Sequence, residues 1–122
     1  MKSVKDLNVY KLAFETTLVI YRITENFPKT ETFGLVSQMR RSAASICSNL
    51  AEGCSRNSTG EYKHFAGIAK GSASELSFQI EISIALKFIN EIDGKVLMDS
   101  IEEILRMLSG LINSLTLTTK ND

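Results

Sequence analysis

Apolar residues recur every three or four positions along almost the whole chain, and a single proline, Pro28, interrupts them. That period matches the turn of an α-helix, not the alternation of a strand, and it points to an all-α fold. Leu7, Tyr10, Phe14, Thr17 and Tyr21 form one such series, and Val9, Leu12, Thr16, Val19 and Ile23 form another. Both fall on a first predicted helix over 4–26. "FPKTE" ends it, because the residue before a proline resists helical geometry. Thr30 followed by Glu31 suits the start of a second helix over 31–56.

"NSTGEY" marks the next boundary, with Ser58 and Glu61 at the Ser-x-x-Glu spacing of a capping box. The third helix is predicted over 59–90. "NEIDGK" reads as a turn with Asp93 as a cap, and the fourth helix follows over 95–117. On it Leu97, Ile101, Ile104, Leu108, Leu111 and Leu115 make one apolar face, with Asp99, Glu102, Glu103 and Arg106 opposite. The polar tail "TLTTKND" is expected to fray. Short loops between long helices predict an antiparallel up-down-up-down bundle, a single domain over 1–122.

Two helices carry more apolar surface than one bundle uses. The first helix has its two series. The third puts Phe65, Ala69, Ala73, Leu76 and Ile80 on one side and Phe78, Ile82, Ala85 and Ile89 on another, more than ~100° away. Four helices of this length rarely enclose one of their own, so the second faces predict a homo-oligomer.

The stretch "SICSNLAEGCSRNS" is unusual for a helix surface, since small polar residues stand where Lys and Glu usually solvate it. On a wheel, Val36, Met39, Ala43, Ile46, Cys47, Leu50 and Cys54 cluster as a core face. Opposite them fall Gln38, Arg41, Ser45, Ser48, Asn49 and Glu52. A solvated face is one reading of that stripe; packing against another subunit or partner is the favoured one, because small residues allow close approach. Gly53 lies inside the helix at a cost of ~1 kcal/mol relative to Ala, which close approach of another backbone would explain.

No catalytic constellation emerges. The one histidine, His64, has Lys70-Gly71 six residues on, about 240° around the helix, so it lacks the neighbouring lysine of a phosphotransfer histidine. There is no Glu-x-x-His pair for a di-iron site, and "AKGSAS" lacks the spacing of a phosphate-binding loop. Cys47 and Cys54 would stand ~10 Å apart along one helix, too far for a disulfide, with no ligand cluster for zinc. They read as buried small side chains in a reducing compartment. No enzyme activity, metal or cofactor is expected. No apolar run approaches the ~20 residues of a membrane span, and the N-terminus lacks a signal-peptide core, so a cytoplasmic location is expected.

Net charge is zero, but residues 1–72 hold ten Lys/Arg against six Asp/Glu, and residues 73–122 hold four against eight. Arg40, Arg41, Arg56, Lys63 and Lys70 lie on the hairpin of the second and third helices, a candidate phosphate-binding surface for RNA or DNA if repeated around an oligomer.

"FP", Gln38 with Arg40-Arg41, "SICSNLAEG" and "AKGSASEL" together resemble the four-helix bundle proteins encoded in intervening sequences of bacterial 23S ribosomal RNA genes, and the likeness runs from "VKDLNVYKLA" onward over nearly the whole chain. The resemblance implies a homopentameric ring without known catalytic activity. Related accessory proteins of diversity-generating retroelements look like highly basic barrels that bind nucleic acid and a reverse transcriptase, whereas this chain is neutral. Two functions follow as expectations: a nucleic-acid-associated protein, with structured RNA as a candidate ligand, using the five basic residues, or a protein-interaction scaffold whose ring presents a surface to another protein. The candidate subunit interface is the helix-two stripe with Phe78, Ile82 and Ile89.

Overall fold

The computed structural model describes residues 3–121, with side chains placed for 3–118. Four helices make the chain: α1 (Asn8–Thr24), α2 (Ser37–Cys54), α3 (Thr59–Ala85) and α4 (Glu91–Asn121). No strand occurs among the described residues, as the helical period requires. α1 packs on α2 and α4, and α3 packs on the same two, so α1 and α3 occupy diagonal corners. Numbering runs in opposite senses on α2 and α3. Gly53 meets Tyr62, Ser45 meets Ser72 at 2.8 Å, and Met39 meets Ser83 at 3.4 Å.

The core is the set of side chains that the four apolar faces turn inward. α1 contributes Val9, Ala13 and Ile20, and α2 contributes Met39, Ala43, Ile46 and Leu50. α3 adds Ala69, Ala73, Leu76 and Ile80, and α4 adds Leu97, Ile101, Ile104 and Leu108. Each fully buried Leu or Ile contributes ~2 kcal/mol of hydrophobic stabilisation. The buried line of α1 therefore runs between the two predicted series rather than along either. Cys47 and Cys54 are half-buried free thiols. Burial pushes the Cys47 thiol above its ordinary pKa, against a hydrogen bond with Thr17.

The helix ends depart from the sequence expectation in several places. Ser3 caps a 3-10 turn over Val4–Asp6, and extended Leu7 separates that turn from α1. After Pro28 the chain makes a 3-10 turn (Lys29–Glu31) and a π-type turn (Thr32–Val36) before α2 begins, because Gly34 adopts φ −108°, ψ −107°, outside helical geometry. α4 starts at Glu91, not 95. Asn90 Oδ1 accepts from the Asp93 amide at 2.8 Å while Asn90 Nδ2 donates to Asp93 Oδ2 at 2.9 Å, so Asn90 is the cap. α4 also continues through Asn121 instead of fraying. The hydroxyls of Thr116 and Thr118 donate to the carbonyls of Ile112 and Ser114, and Asp122 lies outside the described residues.

α3 ends at Ala85, short of the expected 90, in a Schellman motif. The Phe88 amide donates to the Ser83 carbonyl and the Lys87 amide to the Ile84 carbonyl, both at 2.9 Å, and Lys87 takes φ 65°. A non-glycine residue in that left-handed region costs ~1 kcal/mol. Lys87→Gly is therefore expected to raise stability by about 1 kcal/mol and Lys87→Val to lower it, read from the midpoints of chemical denaturation. Phe88 then packs its ring, tilted, against Phe27 with centroids 5.4 Å apart, which places the α1–α2 and α3–α4 connections at one end of the molecule.

Candidate nucleic-acid and subunit interface

The five basic candidates do not form one patch. Arg40 lies where α2 leaves the π-type turn, and it reaches back to the end of α1. Its Nε donates to Thr24 Oγ1 at 3.0 Å, a terminal nitrogen donates to the Tyr21 carbonyl at 3.2 Å, and its guanidinium sits 4.7 Å over the Tyr21 ring. That is a packing role, which ties α2 to the last turn of α1. Arg56 is also engaged, by Glu52 at 2.5 Å and by the Phe65 ring at 4.9 Å. Arg41 and Lys70 are exposed and Lys63 half-exposed, and none of the three has an ion-pair partner among the described residues. Arg41 and Arg56 are fifteen residues apart, ~22 Å along the hairpin. Glu52 and Glu61 fall among the basic groups near the α2–α3 turn. His64 is exposed, with its ring 5.3 Å from Phe65.

The helix-two stripe divides. Ser45 and Asn49 turn toward α3: Ser45 Oγ bonds Ser72 Oγ, and Asn49 Nδ2 donates to the Ser45 carbonyl and hydroxyl at 2.9 and 3.0 Å. Their polar atoms are satisfied within one chain. Gly53 continues the same line, and its close approach is to α3. A β-carbon built there lies 3.1 Å from Phe65 Cβ and 3.3 Å from the Tyr62 carbonyl. The small residues of "SICSNLAEGC" thus serve first to bring α2 and α3 together. Gln38, Arg41, Ser48 and Glu52 remain exposed.

On α3, Phe78 is 62% exposed and Ile82 half-buried, so the second apolar face is open as expected. Ile89 does not belong to it. The helix has ended before Ile89, whose side chain is buried in the core near Gly94. Gln38 and Arg41 are brought beside Glu75 and Gln79 in a cleft of about 370 Å³, edged by Phe33. Gln79 is buried there, with Oε1 unpartnered.

Two exposed side chains, Phe33 and Leu18, were missed by the sequence reading. Phe33 is 96% exposed beside the Gly34 break, an outlier that only the loss of helical geometry reveals. Phe14, Leu18 and Tyr21 are 49, 41 and 43% exposed and form an outer stripe on α1. Phe14 and Tyr21 stand in the first series read above, and Leu18, which stands in neither series, completes the i, i+4, i+7 spacing.

No group of three or more His, Cys, Asp or Glu among the described residues is arranged to hold a metal ion, and no helix is long and apolar enough to cross a membrane. No curated protein matches the chain. A similar solved structure is the crystal structure of a protein of unknown function from the S23 ribosomal protein family of Bacteroides thetaiotaomicron VPI-5482, with TM-score 0.77 and 23% identity over 85% of this chain and 97% of that one. It supports the fold. The family model described as 23S rRNA-intervening sequence protein matches residues 5–110, and the chain belongs to that family.

Proposed function

We propose that the protein is a non-catalytic, cytoplasmic, ring-forming module: an up-down-up-down bundle that associates head to tail into a homo-oligomer, the pentamer that the family resemblance implies. The observation that carries this reading is the pair of different apolar stripes left open at diagonal corners, Phe14–Leu18–Tyr21 on α1 and Phe78 with Ile82 on α3. Exposed apolar stripes of this kind favour association. Two unlike patches suit a heterologous contact, in which one side of each copy meets the other side of the next. Tyr21 lies against Arg40 of α2, and Glu75, one turn before Phe78 and Ile82, lies beside Arg41 of α2, so both stripes lean toward α2. Their outward directions then differ by less than 180°. Directly opposite faces would extend a filament, whereas faces set at an angle can close a ring.

A second reading, nucleic-acid association, is favoured by Arg41, Lys63 and Lys70, which have no ion-pair partner among the described residues. Repeated around a ring they would bind phosphates with a steep salt dependence. The family's description, which refers to 23S ribosomal RNA, makes structured RNA the first ligand to try. A protein-interaction scaffold is the reading left if the ring carries none.

Native mass spectrometry of protein purified without nuclease, with absorbance at 260 and 280 nm, tests these together. The expected result is a multiple of the 13.5 kDa chain, five copies on this reading. Bound nucleic acid released by salt would support the second reading. A clean ring with no binding to ribosomal RNA fragments at low ionic strength would reject it, and a monomer would reject the ring.

A further inference from the structure

Resting on the ring reading, we infer that the joint between copies is one seam, in which α1 of one copy lies along α3 of the next with Phe14 over Gly67 and Leu18 over Gly71.

The heights come from contacts inside the chain. Cys47 on α2 lies next to Thr17 on α1, Arg40 on α2 is hydrogen bonded to Thr24 on α1, and Ser45 on α2 is bonded to Ser72 on α3. Two residues along α2 from Ser45 corresponds to two residues back along α3, so Thr17 and Lys70 stand at the same level. α1 and α3 each run opposite to α2, as Arg40 against Tyr21 and Thr24 shows at α1's far end, so they ascend together at the same rise per residue. Phe14 therefore shares the level of Gly67, Leu18 that of Gly71, and Arg22 that of Glu75. In a ring whose axis runs along the helices, side chains at equal levels meet.

The surfaces at those levels are complementary. Phe14 and Leu18 are large, half-exposed and four residues apart. Gly67 and Gly71 are also four apart and exposed, and a β-carbon built on either finds nothing within 4 Å in its own chain. Glycine disfavours helix, and at Gly53 and Gly94 crowding inside the chain explains its use, but at these two positions nothing inside the chain does. A flat helix flank lets bulky side chains of a neighbour lie close to the backbone. Exposed Phe78 and Ile68 on α3 border the flat stretch. Gln79, buried with its Oε1 unpartnered in the cleft beside Glu75, has a polar group free at the same margin.

The experiment uses the full chain with Cys47 and Cys54 replaced by Ala, carrying Leu18→Cys and Gly71→Cys. Oxidation is expected to link copies into covalent multimers up to the ring size, while a Leu18→Cys, Gly60→Cys control at a different level does not. In parallel, Gly71→Leu is expected to keep full helix content by circular dichroism yet lose the ring mass, and Leu18→Ala combined with Gly71→Leu to recover it. If the parent chain is a ring but the 18–71 pair gives no more cross-linking than the control, or Gly71→Leu leaves the ring mass unchanged, the seam is wrong and the ring stands. If the parent chain is itself monomeric, the ring reading fails first.

Discussion

Gly53→Val is expected to destabilise the fold by about 2–3 kcal/mol, and Gly53→Ala by about 1 kcal/mol or less. Two effects oppose each other. A side chain in place of a helical glycine improves helix propensity, by up to ~1 kcal/mol for alanine and by less this close to the C-terminus of α2. Against that, the new β-carbon falls 2.9 Å from Cδ1 of Tyr62, 3.1 Å from Cβ of Phe65 and 3.3 Å from the Tyr62 carbonyl oxygen. The Tyr62 ring can rotate away, but Phe65 Cβ and the Tyr62 carbonyl are fixed to the α3 backbone, so relief requires the helices to part. Parting them loosens the Ser45–Ser72 hydrogen bond and the contact of Cys54 Sγ with Tyr62 Oη at 3.2 Å. Partial burial, and then that hydrogen bond, hold the Tyr62 phenol above its ordinary pKa. Valine adds two methyl groups to the same clash. Gly110→Ala is the control: nothing lies within 4 Å of its built β-carbon, and it should gain ~1 kcal/mol. Equilibrium denaturation at fixed protein concentration measures all three. Parent-like stability in Gly53→Val would mean that α2 and α3 are not held at this distance.

Gly53 also illustrates how far the sequence could be read. A glycine inside a helix signals crowding, and that much was legible. The crowding partner was not, because nothing in the local pattern separates a neighbouring helix of the same chain from one of another copy. The four helices, the inward residues of α2, α3 and α4 and the Ser58 cap follow from periodicity and capping, which are local properties. The ends that went astray have nonlocal or ambiguous causes. Thr32–Val36 keeps a helical apolar period while its backbone does not, and only Gly34 hints at the break. α3 stops on a left-handed lysine, a position usually held by glycine, so the sequence carries no stop sign there. Counting the helical period through that stop is what assigned Ile89 to an outer face. Arg40 was grouped with Arg41 because they are adjacent, yet its partners Tyr21 and Thr24 lie nineteen and sixteen residues away, visible only once α1 and α2 are packed. The outer stripe on α1 was within reach, since an exposed and a buried apolar series both have helical spacing. Which of them faces water is decided by the neighbours.

The two open stripes lead to the largest expected effect. Leu18→Glu on α1 and Phe78→Glu on α3 are each expected to yield monomers with unchanged helix content, and the two variants mixed in equal amounts are expected to form a heterodimer of twice the 13.5 kDa chain mass. Both side chains are exposed in the single chain, so a glutamate there can be solvated without disturbing the core. At a contact between copies the same carboxylate would be buried against an apolar surface without a partner, a penalty of several kcal/mol repeated at every joint. The mixture distinguishes the geometry. In a head-to-tail assembly the Leu18→Glu chain keeps its α3 face and the Phe78→Glu chain keeps its α1 face, so one sound joint forms per pair and growth stops there. If each stripe instead paired with its own copy about a two-fold axis, Leu18→Glu alone would retain an α3–α3 dimer and Phe78→Glu alone an α1–α1 dimer. Monomers that remain monomers on mixing would separate the stripes from a shared contact. Sedimentation velocity on the three samples reads each case directly, and only the heterodimer fits a ring in which α1 of one copy meets α3 of the next.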